Sequence, residues 1–348
     1  MKRFISAAIC TAMLFCLAGC EQEEPDTVSE FEPAPEFSPL TEIKEGRKNI
    51  YLIIKTFNSD YWDVVVDGAK AGGEDFDCNV YYSGCNNESD WESQCRLLEE
   101  AAEAGADAVL LAPNDSVKLS AEIEKVYSKG IKMVLVDTIA ITDSYDVCFM
   151  TDNLMAGQLA SAEMIEQLHK KGYSDNDTIQ VGVQVCATAT QTINERLAGF
   201  LQFWSNYAPD NWTVISDIKF NEGDIDRGCQ CTNDLLNNYP DIKGVFGSDN
   251  VSTTSLAAII KEKERTDIVV VGFDHSPEIS ELINSEEYTA SSVLQKQFNM
   301  SYDGVKTALD LIDGKKMEQK FVDTGITVVN SNNLNDPEVR ETLDHNRG

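Results

Sequence analysis

Apolar and polar positions follow two rhythms along this chain, and the switches between them lay out its fold. Residues 49–72 show both rhythms at once. Ile50 to Ile54 form a short, uniformly apolar run, the pattern of a parallel strand buried on both faces. Asn58, Ser59 and Asp60 are all residue types that cap helices, and Val64, Val65, Gly68, Ala69 and Gly72 then recur at helical spacing. The pattern predicts a strand, a polar turn carrying Tyr61 and Trp62, and a helix. That turn lies at the carboxyl end of the strand, where open α/β sheets bind small molecules.

The alternation continues. Strands are predicted over residues 79–82, 108–112, 133–136 and 147–150, with helices over 90–104 and 115–129, the second ended by Gly130. It then restarts with a helix over 154–171, a strand over 179–185, a helix over 190–207 that holds Arg196, and a strand over 214–220. A helix over 224–239, a strand over 244–246, a helix over 252–263 and a strand over 268–273 follow. Last come a helix over 277–284, a strand over 291–294, a helix over 298–312, extended pieces at 321–322 and 326–329, and a polar, loosely ordered tail. Strands alternating with helices in two series predict an α/β protein of two doubly wound parallel-sheet lobes.

The ends of the chain change this picture. Lys2 and Arg3 precede an apolar run over residues 4–18, too short for a comfortable membrane span and suited to a secretory signal. The run ends in Leu17-Ala18-Gly19-Cys20, which resembles a bacterial lipobox, so residues 1–19 are expected to be a lipoprotein signal peptide and Cys20 a lipid anchor. Residues 20–48 hold four prolines and nine acidic residues and read as an extended acidic tether. Removing residues 1–19, which carry Lys2 and Arg3 and no acid, takes the net charge from −31 to −33. Such a charge argues against nucleic-acid partners and against attraction to anionic lipid.

Cysteines and histidines carry little further chemistry. Cys78, Cys85, Cys95, Cys148, Cys186, Cys229 and Cys231 remain beyond the signal, an odd number, with the first three close enough for one local disulfide and buried free thiols as the alternative. His275 follows Asp274 and could border a cleft, but no nucleophile elbow, paired general acid and base, or metal-ligand spacing accompanies it. No phosphate-binding or dinucleotide glycine signature occurs, so no cofactor is expected and the chain does not read as an enzyme.

Seven segments in a fixed order resemble the type I periplasmic binding proteins of the ribose and galactose class: LIIKTFNSDYW, GADAVLLAP, GIKMVLVDT, TDNLMAG, NERLAGF, GVFGSDN and VVVGFD. The resemblance spans residues 49 to about 330. It implies two lobes joined by three crossings near Asp152, Gln295 and Thr324: lobe 1 from residues 49–151 and 297–323, lobe 2 from 152–295 and 325–332, and a polar tail over 333–348. It further implies a ligand site of Ser59, Tyr61, Trp62, Asp137, Thr138, Arg196, Asp249, Asp274 and Gln295, with Lys55 and Glu195 as secondary candidates. Aromatics would cover a sugar ring while carboxylates and a guanidinium bind its hydroxyls.

Three features depart from the pattern: Thr138 stands where the ribose type has an arginine, no proline precedes the aromatic pair, and the segment before Asp224 lacks the aromatic seen in some relatives. The ligand class implied is a small sugar or polyol, with a nucleoside or autoinducer as alternatives. The implied partner of this monomeric, membrane-tethered, extracytoplasmic protein is an ABC import permease, or else a membrane histidine kinase or chemoreceptor. Some galactose-type relatives bind calcium, which makes Asp175 and Asp177 a weak metal candidate. A DNA-binding repressor of the same fold would need a helix-turn-helix where this chain has a signal and a tether.

Overall fold

The computed structural model describes residues 36–186 and 191–346; Cys20 and the signal segment lie outside them. The chain first forms β1 (Ser38–Pro39), β2 (Asn49–Ile53), α1 (Asp60–Asp75), β3 (Asn79–Ser83), α2 (Trp91–Glu103), β4 (Ala108–Leu111), α3 (Ser120–Ser128), β5 (Lys132–Val136) and β6 (Val147–Met150). A second series runs α4 (Asn153–Lys170), β7 (Ile179–Val185), α5 (Gln191–Tyr207), β8 (Trp212–Val214), β9 (Lys219–Phe220), α6 (Ile225–Asn238) and β10 (Gly244–Gly247). It continues with α7 (Asn250–Glu262), β11 (Val269–Phe273), α8 (Pro277–Asn284) and β12 (Thr289–Gln295). The chain closes with α9 (Gln297–Ile312), β13 (Phe321–Asp323), β14 (Ile326–Asn330) and α10 (Pro337–Asn346).

Two sheets result, in the orders β1-β3-β2-β4-β5-β6-β13 and β14-β12-β11-β10-β7-β8, with β9 also paired to β7. All pairings are parallel except β1 with β3 and β14 with β12. Each sheet is apolar on both faces because helices cover both. Ile50, Leu52, Leu110 and Val134 face α1 and α9, while Tyr51, Ile53, Leu111 and Leu135 face α2 and α3. The second lobe repeats the scheme with Val181, Val183 and Val271 on one side and Val245, Val270 and Leu294 on the other. Alternate side chains of one strand enter opposite layers, which is why the strands read as continuous apolar runs.

The chain passes between the sheets after β6, after β12 and after β13. Two of these passages are tied together: Asp152 N–H donates to Asp323 Oδ1 at 3.1 Å, and Thr324 N–H donates to Met150 O at 3.1 Å.

Several sequence expectations need correction. The expected tether is not free to residue 48. Ser38 and Pro39 pair with Tyr82 and Tyr81, Leu40 N–H donates to Val80 O, and Phe37 packs edge-on against Tyr51. A proline-bearing pair on an edge strand loses no hydrogen bond the sheet needs and covers the exposed edge of β3.

The tail is not loose either. Pro337 opens α10, whose Val339 and Leu343, one helical turn apart, are buried in the second lobe's core. The helix over 115–129 begins only at Ser120, because Asp115 Oδ1 accepts from Val117 N–H and Lys118 N–H and folds the preceding residues into a turn. The single strand over 214–220 is two short ones, β8 and β9, and Thr190 at the expected start of α5 lies outside the described residues.

The seven cysteines among the described residues are all free thiols, so the local disulfide does not form. Asp177 turns back on Ser174 and Asp175 pairs with His169, and no group of acids, histidines or cysteines able to hold a metal ion occurs among the described residues.

Candidate functional site

A cleft of about 480 Å³ lies where the carboxyl ends of both sheets meet, within the roughly 300–1,000 Å³ usual for small-molecule sites. Eight of the nine expected ligand residues line it: Ser59, Tyr61, Trp62, Asp137, Arg196, Asp249, Asp274 and Gln295. Thr138 does not. It is fully buried, and its hydroxyl sits between Lys55 Nζ and Asp137 Oδ2, each 2.7 Å away. Lys55 lines the cleft; Glu195 and His275 do not. His275 Nε2 instead meets Ser280 Oγ at 2.8 Å.

The lobe-1 wall is built around Asp137. This residue follows β5 directly in the left-handed conformation, φ 64°, which aspartate tolerates better than most residues. Lys55, just past the end of β2, donates from Nζ to Asp137 Oδ2 at 2.8 Å, and Tyr61 OH donates to Asp137 Oδ1 at 2.6 Å. Burial alone would raise the Asp137 pKa, but the charges of Lys55 and Arg196 and the hydrogen bonds from Lys55 and Tyr61 outweigh it and hold it below the ordinary range. Burial and the nearby Asp137 and Asp274 push Tyr61 well above its usual pKa, so it is a neutral donor.

Trp62 stands edge-on to Tyr61, with ring centres 4.9 Å apart, and its Nε1 donates to Glu88 Oε1 at 3.3 Å. Lys55 Nζ lies 5.5 Å from the Trp62 ring centre, a cation–π distance. Ser59 is the N-cap of α1, yet its side chain makes no capping bond.

The lobe-2 wall is built around Asp274 and Arg196. Asp274 follows β11 directly with φ 65°, and its Oδ1 accepts from Gln295 Nε2 at 2.9 Å. Burial, with Asp137 and Asp249 nearby, raises its pKa to about 7 against the opposing pull of Arg196 and Gln295. Arg196 donates from Nε to Asn153 Oδ1 at 2.8 Å and from Nη1 to Ser248 O at 3.0 Å, and its guanidinium lies 4.0 Å above the Phe273 ring.

Its place is set by two glycines. A Cβ at Gly157 of α4 would fall 2.1 Å from Arg196 O, and one at Gly199 of α5 would fall 2.1 Å from Leu154 O. Only glycine lets these helices touch backbone to backbone, and that contact decides where Arg196 emerges.

Asp249 lines the cleft but is engaged as the N-cap of α7. Its Oδ1 accepts from Ser252 N–H at 2.9 Å, and its Oδ2 accepts from Ser252 Oγ at 2.7 Å and Ser248 Oγ at 3.0 Å. Other lining residues were missed in the sequence, among them Glu88, Asn114, Cys186, Glu222, Asp224 and Arg227. Most follow β3, β4, β7 and β9 at their carboxyl ends, so the strand-end rule applied to every strand would have found them. Burial, with Asp249 and Glu88 near, pushes the Cys186 thiol up, which leaves it no thiolate character.

A family profile described as "periplasmic binding protein domain" matches residues 50–316 of this chain. The chain is 24% identical to the ribose import binding protein RbsB of Bacillus subtilis over 322 residues, covering 92% of this chain and 96% of that protein. It is 24% identical over 309 residues to the D-ribose/D-allose-binding protein of Pseudomonas aeruginosa, covering 84% and 93%. Among solved structures, a carbohydrate transporter solute binding protein of Agrobacterium radiobacter in complex with D-arabinose superposes with a TM-score of 0.81 at 26% identity, covering 86% of this chain and 100% of that one. An ABC transporter solute binding protein of Agrobacterium vitis with bound D-fucose gives 0.75 at 26% identity, covering 84% and 99%.

Proposed function

The chain belongs to the periplasmic binding protein family, and from that premise we propose that it captures a small sugar or polyol between its lobes and delivers it to an ABC import permease. One observation carries this reading: Asp137 and Asp274, each directly after the corresponding strand of its own sheet, line the same cleft. Carboxylates on both walls can accept hydrogen bonds from hydroxyls of one ligand, so a polyhydroxylated molecule links the lobes and favours the closed state.

The flanking groups suit that task. Arg196 keeps N–H groups beyond the two it spends on Asn153 and Ser248, and Tyr61 and Trp62 offer apolar ring surface for a sugar face. No bond in the ligand is broken in this reading, and the permease recognises the paired lobe surfaces. The Leu17-Ala18-Gly19-Cys20 segment supports an extracytoplasmic protein held at the membrane by an acylated Cys20.

The test is a thermal-shift screen of the purified protein against D-ribose, D-allose, D-arabinose, D-fucose, other monosaccharides and polyols. A sugar present at a hundredfold its Kd adds about 2.7 kcal/mol to stability and raises Tm by several degrees. A panel without a single responder, read also by tryptophan fluorescence, removes the sugar assignment.

A further inference from the structure

We propose that Asn114, outside the expected ligand set, is a specificity-determining ligand contact: its amide binds two neighbouring hydroxyls of the captured sugar, donating to one and accepting from the other. This rests on the sugar-binding reading above and names the part of the ligand that lobe 1 reads.

Asn114 lies just past the end of β4, which sits in its sheet between β2 and β5. Its strand therefore ends between the strand ends that carry Lys55 and Asp137. Asn114 is 3% exposed and lines the cleft, and neither its Nδ2 nor its Oδ1 has a protein partner. A buried amide with both ends unpartnered is a standing cost to the ligand-free fold, and such groups are rare unless something else satisfies them.

The chain also holds Asn114 firmly in place. Gln94 of α2, fully buried, accepts from Asn114 N–H at 3.0 Å through Oε1, while its Nε2 donates to Ala112 O at 2.8 Å and Ile54 O at 3.2 Å. One side chain thus clamps the ends of β2 and β4 and the Asn114 backbone, yet leaves the Asn114 amide unspent.

The equivalent place in lobe 2 is resolved differently. There β10 lies between β7 and β11, and just past its end stands Asp249, whose oxygens are taken up by Ser248 and Ser252. Two corresponding positions divide the work: Asp249 anchors a helix and Asn114 keeps its hydrogen bonds for the ligand. Gln295 gives the same sign from the opposite wall, since its Nε2 serves Asp274 while its buried Oε1 has no partner.

The experiment measures calorimetric affinity and ligand-free Tm for the wild type, Asn114→Ala and the near-isosteric Asn114→Leu, using the sugar of the panel that binds most tightly. The expected result is at least a tenfold loss of affinity in both variants with ligand-free Tm unchanged or raised, because an unsatisfied buried amide has been removed. A purely structural asparagine would instead lower Tm.

Singly deoxygenated forms of the same sugar complete the cycle. The two that remove the hydroxyls met by Asn114 should bind the wild type more weakly and should bind Asn114→Leu no worse than the parent sugar does. Affinity within twofold of wild type in both variants, or a fall in Tm in both, overturns the assignment while leaving sugar binding in place. A wild type that binds no panel sugar removes the reading on which the assignment rests.

Discussion

Asp137 and Asp274 stand at the same point of two similarly ordered sheets, share a left-handed backbone and are 5% and 3% exposed, yet their surroundings push them in opposite directions. Asp137 has Lys55, Tyr61 and Thr138 on its oxygens and is held ionised. Asp274 has one neutral donor, Gln295, and burial lifts its pKa to about 7. Position in a fold therefore decides that a carboxylate reaches the cleft, and the residues around it decide how much of it is left for a ligand. Lobe 1 presents a carboxylate that already holds three protein donors and keeps one acceptor site on Oδ1; lobe 2 presents one with a single protein donor.

The largest effect should come from making the two alike. Lys55→Met leaves Asp137 buried without its counter-ion and should cost about 3–5 kcal/mol at pH 8 in urea unfolding. The loss should shrink at pH 5, because the unpaired carboxyl can then take up a proton. In the wild type the sign is the reverse: a depressed pKa means the Asp137 contribution is present above pH 4 and fades as pH falls. A loss below 1 kcal/mol at pH 8, or one equal at both values, would contradict the role given to Lys55.

Asp274→Asn attacks the other side. The folded pKa of about 7 exceeds the unfolded value, so ligand-free stability should fall as pH rises from about 4 to 7 and stay low above it. The amide removes that dependence and should raise ligand-free stability at pH 8 by about 2–4 kcal/mol. Sugar affinity should drop at least tenfold in the same variant. A pH profile of Tm unchanged from wild type would show that Asp274 does not titrate in this window.

Asp249→Ala should be the mildest of the three. It removes the α7 cap and costs about 1 kcal/mol, seen as a Tm lower by a few degrees. A loss of affinity larger than that of Asp274→Asn would mean that Asp249 serves the ligand before the helix.

Much of this was legible in the residues. Ile50 to Ile54 and Val269 to Phe273 are apolar throughout because both sheet faces are covered, and that local pattern announces buried parallel strands. Asp137 and Asp274 could be picked out because a strand's end is a place in the sequence as well as in the fold. Gly157 and Gly199 lie in two segments that carried the family resemblance, and the structure supplies their reason: the helices touch there. Where the reading slipped, a distant partner decided. Pro39 joined the sheet because β3 offered a bare edge, and α10 formed because Val339 and Leu343 found the second lobe's core.

The sequence by itself determined the two-lobed α/β plan, the strand ends and nine of the 21 described residues that line the cleft, since each depends on spacing along the chain. Only the tertiary structure decided which of those side chains are already spent. Whether Asp137 is met by Lys55 across 82 positions of sequence, or Asn114 by nothing, depends on atoms brought together by the packing of separate elements. Hydrogen bonding acts over about 3 Å in space, and periodicity along a chain carries no record of such distances.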